Sequence, residues 1–305
     1  MKEFSIRDIE NLCGIKAHTL RIWEQRYDFI KPGRKHGNHR IYDSEDLKSI
    51  LSISFLYHQG YKISKIAALT PDKIRLMVED SYGKDINNEL YIHELIGAGV
   101  DLDKDKFEKV TNTIVLMYGI EKCITGIFIP FLERIGMLWM TNNIIPAQEH
   151  FASHIIRKKI ICATDGLEDS VADAPSVVIF APTGEMHEIP LLIANYIFRK
   201  NGFRTIYFGI NTPAECLYKY LSAHPADYLY THIISQMNKT GNEDFLCKLS
   251  ALHKGQPILA SGNCVKCMCD PGGSLRIIHS IEELTDFARE KAAISAKHSS
   301  LHPQL

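Results

Sequence analysis

Ser176-Val177-Val178-Ile179-Phe180-Ala181 is an unbroken apolar run, and its reading decides the fold of the second half of the chain. A continuous run, rather than an alternating one, describes a strand covered on both faces, the condition of strands inside a parallel sheet. A loop follows, and apolar spacing then predicts a helix over Ile189–Lys200, closed by Gly202. Further outward come predicted strands at Arg204–Phe208, Asp227–Ile234, Pro257–Ser261 and Leu275–His279. Helices lie between them, one capped by Thr212-Pro213 and another over Glu243–His253. Ser280 with Glu283 forms a capping box for a last helix to about Ala293. Five short strands alternating with helices specify a doubly wound parallel α/β domain over residues 175–294, with a disordered tail expected at 295–305.

Upstream of Glu168–Pro175, a polar linker, the period is helical. Four helices are expected between Glu89 and Thr164, the last two at Gly119–Met140 and Pro146–Cys162, making a four-helix-bundle cap domain over 79–167. Residues 80–90 are polar and read as a linker. Before them, Ser5 and Asp8 mark the start of a helix over Ile6–Leu12 that stops at Gly14. A second helix, about Lys16–Tyr27, turns Leu20, Trp23 and Tyr27 inward. A basic, turn-rich excursion from Pro32 returns through His39-Arg40-Ile41-Tyr42. Asp43 then caps a long helix to about Gln59, ended by Gly60. Short helices at Ile63–Leu69 and from Pro71 to about Val78 complete a headpiece of residues 1–78.

Of 305 residues, 45% are hydrophobic and 23% charged, a mix that excludes a disordered or collagen-like chain. No basic-then-apolar leader opens the sequence. The most membrane-like stretch, Gly126–Met140, is broken by Glu133 and Arg134. A cytoplasmic protein with no membrane partner is expected, with its eight cysteines kept as thiols. The net charge of -1 hides a polarity: Lys16 to Tyr42 holds seven Lys/Arg against Glu24 and Asp28, a local +5 that leaves -6 for the remainder. Such asymmetry points to nucleic-acid contact by the headpiece. An exposed basic helical face is the plain alternative, and charge alone does not choose between them.

The order of residues breaks the tie. Phe4-Ser5-Ile6 through Gly14, Thr19-Leu20-Arg21-Ile22-Trp23-Glu24-Gln25-Arg26-Tyr27 and Asn38-His39-Arg40-Ile41-Tyr42 resemble the DNA-binding domain of the MerR family over about 70 residues. The resemblance implies a winged helix-turn-helix whose second helix enters the major groove while the loop flanks it on the phosphates. By position, His18, Thr19 and Arg21 would face bases or phosphates, and Arg26, Tyr27, Arg40 and Tyr42 would contact or position the DNA backbone. Leu20 and Trp23 read as headpiece core. Family members bind near-palindromic operators as dimers, so self-association is implied, as a dimer or tetramer on double-stranded DNA.

In an open α/β sheet, ligands bind beyond the carboxyl ends of the strands. Three loops reach that edge: Thr183–Pro190, the end of the third strand at Thr231–Ser235, and Ser261-Gly262-Asn263. A lone loop histidine such as His187 is more often a surface residue than a ligand. However, Glu185-x-His187 after the first strand resembles the cobalamin-binding signature of MerR-type photoreceptor repressors and of related methionine-synthase modules, whose α/β domain is flavodoxin-like. That resemblance implies His187 as lower ligand to cobalt, hydrogen-bonded by Glu185. Trp139, nine residues and Glu149-His150 resemble the W-x9-EH signature of the helical cap in the same repressors, near the upper face of cobalamin. The plain alternatives are a core Trp139 and a solvated Glu149-His150 pair. Thr231, Ser261 and Gly262 stand where the family lines the nucleotide tail. Three positions depart from its pattern: Pro190 replaces a glycine, Tyr230-Thr231-His232 replace a serine-bearing edge, and Ser261-Gly262 replace a glycine pair. Those larger side chains would obstruct the dimethylbenzimidazole tail.

Cys264-x2-Cys267-x-Cys269 could bind zinc or another soft metal, or act as a redox switch, but no second CxxC completes a zinc site and reduced thiols are the default. Paired cleft carboxylates, a nucleophile elbow and a phosphate-binding glycine loop are all missing, so no enzyme is expected. The resemblance implies a repressor sensing cobalamin, with adenosylcobalamin cleaved by light as the signal and oligomeric state as the output. Two other readings stay open. In one, a MerR-type regulator has a degenerate sensor that takes another tetrapyrrole, a small molecule or nothing. The other is a corrinoid carrier, for which a basic headpiece has no use.

Overall fold

The computed structural model describes residues 4–27, 32–35, 39–79, 88–140, 144–171, 173–235, 239–252, 256–265 and 274–301. The chain forms two compact units, Met1–Ile156 and Arg157–Leu305.

The first unit opens with helix α1 (Ile6–Cys13), started by a reciprocal capping box between Ser5 and Asp8 and stopped by Gly14 at φ 70°. Helix α2 (Ala17–Arg26) follows after a three-residue turn. Strands β1 (Gly33–Lys35) and β2 (His39–Ile41) pair antiparallel as a wing, and Phe4 bridges to Tyr42 through two backbone hydrogen bonds of 2.7 and 2.9 Å. Helix α3 (Ser44–His58) is capped by Asp43, whose carboxylate accepts from the Glu45 and Asp46 amides. Phe4, Ile9, Leu12, Leu20, Trp23, Tyr42, Leu47 and Ile50 are buried together, the core of a winged helix-turn-helix. Short helix α4 (Ile63–Ile66) and α5 (Pro71–Glu79) follow, Thr70 Oγ1 accepting from the Lys73 amide. The expected linker at 80–90 lies outside the described residues as far as 87.

Helix α6 (Asn88–Asp101) begins inside that stretch and is buried along most of its length. It is followed by α7 (Lys104–Tyr118), capped by Asp103, and α8 (Ile120–Cys123). A π-helical turn (Ile124–Phe128) then leads into α9 (Ile129–Met140) and, beyond residue 143, α10 (Pro146–Asp165). The third expected helix is thus one rod widened at its middle, a feature with no signature in hydrophobic spacing. Phe107 packs edge-on against Phe131 and Phe151, each at 5.6 Å. The headpiece is not held off from these helices: α3 packs on α6 and α1 on α9 within the same unit.

In the second unit, strands β3 (Ser176–Pro182), β4 (Arg204–Thr212), β5 (Tyr228–His232), β6 (Ile258–Ser261) and β7 (Leu275–Ile278) form a parallel sheet in the order β4-β3-β5-β6-β7. That is the flavodoxin-like order, and it puts the topological switch point between β3 and β5. All seven residues of β3 are buried, as its unbroken apolar run requires. Helices α11 (Ile189–Lys200) and α14 (Ile281–Leu301) pack together, as do α12 (Ala214–Ala223) and α13 (Lys239–Leu252). Val178, Phe180, Leu217, Leu229, Leu249 and Ile258 share one core cluster.

Three expectations change here. Strand β4 continues past Phe208 to Thr212 with register shifts, because Gly209 (φ 76°) and Asn211 (φ 53°) take left-handed conformations that keep the strand paired. Thr212 caps no helix, since its hydroxyl donates to the Gly209 carbonyl at 3.2 Å. The tail expected to be disordered from Ser295 is helical to Leu301, because no glycine or proline interrupts the chain between Ala292 and Leu301.

Candidate functional site

The switch point is built around a buried carboxylate. Glu185 sits just beyond β3, 1% exposed as a side chain. Its Oε1 meets His187 Nδ1 at 2.5 Å and accepts the His187 amide at 3.1 Å, while Oε2 accepts the Ile234 and Ser235 amides at 2.7 and 2.8 Å. Burial pushes the Glu185 carboxyl upward, but the hydrogen bonds from His187, Ser235 and Ile234 outweigh it, so it stays ionised well below the usual carboxylate range. An ionised carboxylate on Nδ1 fixes the imidazole tautomer with its proton there and leaves the lone pair on Nε2. The His187 side chain is 53% exposed, so the ring is held at its base and presented at its tip.

The rest of the loop is tied down on both sides. The Gly184 amide donates to Asn211 Oδ1 at 2.8 Å, and the Asn211 amide donates back to the Glu185 carbonyl at 3.2 Å. Glu188 accepts from Arg157 Nη1 at 2.9 Å. Pro190, the residue departing from the family's glycine, occupies the first turn of α11, where its missing N–H costs nothing. Asn211, Arg157 and the two amides after β5 escaped the reading of the sequence. An asparagine two residues after a glycine, both residue types that accept left-handed backbone, is a signal in retrospect, whereas backbone amides leave none.

Beside this loop, Tyr230 is 3% exposed, stacks edge-on to Phe198 at 5.9 Å and shares a 2.8 Å hydrogen bond with Ser261 Oγ. His232 Nδ1 lies 2.7 Å from the same oxygen, and burial pushes that imidazole down to about 4. Thr231 is fully buried, and its hydroxyl has no hydrogen-bond partner among the described residues. Gly262 (φ 102°) is obligatory, because a Cβ there would lie 2.2 Å from the Ile233 carbonyl oxygen. Thr231, Ser261 and Gly262 do meet at the carboxyl edge, but the serine is engaged by Tyr230 and His232. The donor set therefore fits the cobalt-facing side of a corrinoid through Glu185 and His187, and the strand edge offers a filled network where small residues were the family pattern. Cys264 donates its thiol to the Ile234 carbonyl at 2.8 Å. Cys267 and Cys269 lie outside the described residues, and no group of three or more metal-binding side chains occurs among the described ones.

In the first unit, Trp139 closes α9 with 51% of its surface exposed, against the core position that a tryptophan at that spacing suggests. Glu149 and His150 pair at 2.9 Å near the start of α10, the histidine largely exposed. On the headpiece, His18 and Thr19 share a 3.3 Å contact on the open face of α2, and Arg21 and Arg26 are exposed. Tyr27 is half-buried just past the helix end. Arg40 is held on α2 by Glu24 at 2.6 Å, which fastens the wing to that helix. Tyr42, 1% exposed, is packed into the headpiece core where the wing joins α3. Among the described residues, no helix is long and apolar enough to cross a membrane.

Comparison with known proteins places these features. Residues 4–73 match the MerR HTH family regulatory proteins, and residues 91–162 match the B12 binding domain. The chain is 28% identical to the HTH-type transcriptional repressor CarA of Myxococcus xanthus over 70% of each chain. It is 23% identical to the repressor CarH of the same organism, over 86% of this chain and 89% of that one. Its headpiece alone is 35% identical to the HTH-type transcriptional regulator MlrA of Escherichia coli, covering 23% of this chain and 28% of that one. In fold it is similar to the monomethylamine corrinoid protein of Methanosarcina barkeri, with a TM-score of 0.53 and 15% identity over 67% of this chain and 99% of that one. With a MerR HTH match in the headpiece, a B12 binding match in the helical region and similarity to two repressors along most of its length, the chain is a DNA-binding regulator with a cobalamin-sensing C-terminal half.

Proposed function

We propose that this protein represses transcription by occupying operator DNA through α2 and the wing, and that a cobalamin held on His187 Nε2 governs that occupancy. The carrying observation is the Glu185–His187 pair, whose carboxylate is ionised, buried and locked by two strand-end amides. Glu185 orients the ring and holds its proton, and Asn211 and Arg157 fix the loop so that ligation costs little reorganisation. Bound adenosylcobalamin supplies a cobalt–carbon bond that light can break. His18, Thr19, Arg21, Arg26 and Tyr27 carry the DNA contact, with Arg40 and Tyr42 positioning the wing. Trp139, Glu149 and His150 are the helical residues through which ligand state is felt. Ligand-dependent self-association, as dimer or tetramer in the cytoplasm, would multiply weak headpiece contacts on tandem sites. The test is reconstitution with adenosylcobalamin in the dark: co-elution with a shifted absorbance spectrum, abolished in His187→Ala, supports the reading. An unshifted spectrum with no co-elution overturns it.

The Tyr230–Ser261–His232 network favours one variant of this reading. With that edge filled, the ligand would be a tetrapyrrole whose nucleotide tail stays outside the sheet.

A further inference from the structure

The carbonyls that end α1 are capped from elsewhere in the fold. Helix α1 has no basic residue in its last turn, so the negative end of its dipole and its unpaired carbonyls need donors from outside. Arg134, on α9, donates from Nη1 to the Leu12 carbonyl at 3.3 Å, and His58 Nε2, on α3, lies 3.2 Å from the Cys13 carbonyl. Arg134 is itself held in a bidentate pair with Glu89 of α6, at 2.9 and 2.7 Å. Its side chain is mostly buried, and no part of this cluster lies on the exposed face of α2.

What the clamp holds is the corner of the helix-turn-helix. Immediately after Leu12 and Cys13 the chain turns at Gly14 and launches α2 from Lys16. The turn is fixed further by Glu10, which accepts the Ala17 amide at 3.2 Å and pairs with Lys16 at 3.3 Å. The angle at which α2 leaves α1 therefore depends on where the end of α1 is pinned. Reading bases requires that angle to be right within a fraction of an ångström at the side-chain tips, whereas phosphate contact tolerates error.

We infer that Arg134, fixed by Glu89, is a positioning residue for sequence reading: it pins the end of α1 and so aims the recognition helix, without touching DNA. The inference rests on the headpiece being the DNA reader. It separates two quantities that a merely structural residue would move together, namely affinity for the cognate duplex and affinity for unrelated duplex.

The experiment uses the full chain. A duplex is selected from a random-sequence library by the wild-type protein, and a shuffled duplex of equal length serves as the non-specific probe. Arg134→Gln is expected to bind the selected duplex about tenfold more weakly or worse, and the shuffled one within about twofold of wild type, with the salt slope unchanged. Glu89→Gln is expected to lower the same ratio to a smaller degree. Equal loss on both duplexes, or no loss on either, overturns the proposal. Should Arg134→Gln unfold, Arg134→Lys keeps the charge and loses the planar fork. If that variant also melts below the assay temperature, Arg134 is a folding element and the proposal fails. A wild-type protein that selects no duplex at all would instead overturn the DNA-reading assignment itself.

Discussion

At the scale of single residues, the proposed function rests on a carboxylate and an imidazole two positions apart. Replacing Glu185 by Gln leaves one acceptor where two oxygens now serve His187 and two strand-end amides. Cobalamin affinity in Glu185→Gln should fall about 10- to 100-fold, read by spectral titration, with His187→Ala lower still. An unchanged affinity would mean that His187 is not oriented through Glu185. Both residues stood out in the sequence because Glu-x-His after an apolar strand resembles a known cobalamin-binding signature, whereas a loop histidine alone reads as a surface residue. The Ile234 and Ser235 amides did not, since a backbone donor is the same in every residue and only folding brings it near. Tyr42, which the family resemblance implies would contact or position the DNA backbone, lies in the headpiece core, and its burial favours the positioning half of that role.

At the scale of elements, the helices of the first unit meet around His93 of α6. It faces Glu89 on its own helix, Arg134 on α9 and His58 on α3, and burial pushes its imidazole from 6.5 down to about 4. Between those values the unfolded chain holds the proton and the folded one does not. The contribution is therefore present above pH 6.5 and lost as pH falls towards 4. From pH 7 to 5 this one residue should cost the fold about 2 kcal/mol, and His93→Leu should lose that share of the pH dependence in urea unfolding curves. A slope that His93→Leu leaves unaltered would assign the effect elsewhere. Element types were legible because apolar period and caps agree, as with Ser5–Asp8 and Asp43–Asp46. What escaped were places where local signals mislead. Gly209 and Asn211 look like strand breakers yet sit inside β4, and the π turn at 124–128 leaves the helical period nearly intact.

At the scale of the molecule, a net charge of -1 conceals a basic reader and a more acidic remainder. Removing one exposed cation of the reader, as in Arg21→Ala or Arg26→Ala, should reduce the slope of log affinity against log salt by about 1. Arg26→Ala should do so equally on selected and shuffled duplexes, in contrast to Arg134→Gln. Fold class could be read from the change of period at residue 176, but the packing of the headpiece on α6 and α9 could not, because Arg134 looks like any surface arginine until α9 is placed. The central claim is that cobalamin state controls DNA occupancy. It is tested most directly by titrating one selected duplex with the adenosylcobalamin-loaded full chain, first in the dark and again after illumination. The account predicts tighter binding in the dark by about tenfold or more, with the difference lost in His187→Ala. Equal affinity under both conditions, in a protein that has demonstrably taken up the cofactor, would contradict it.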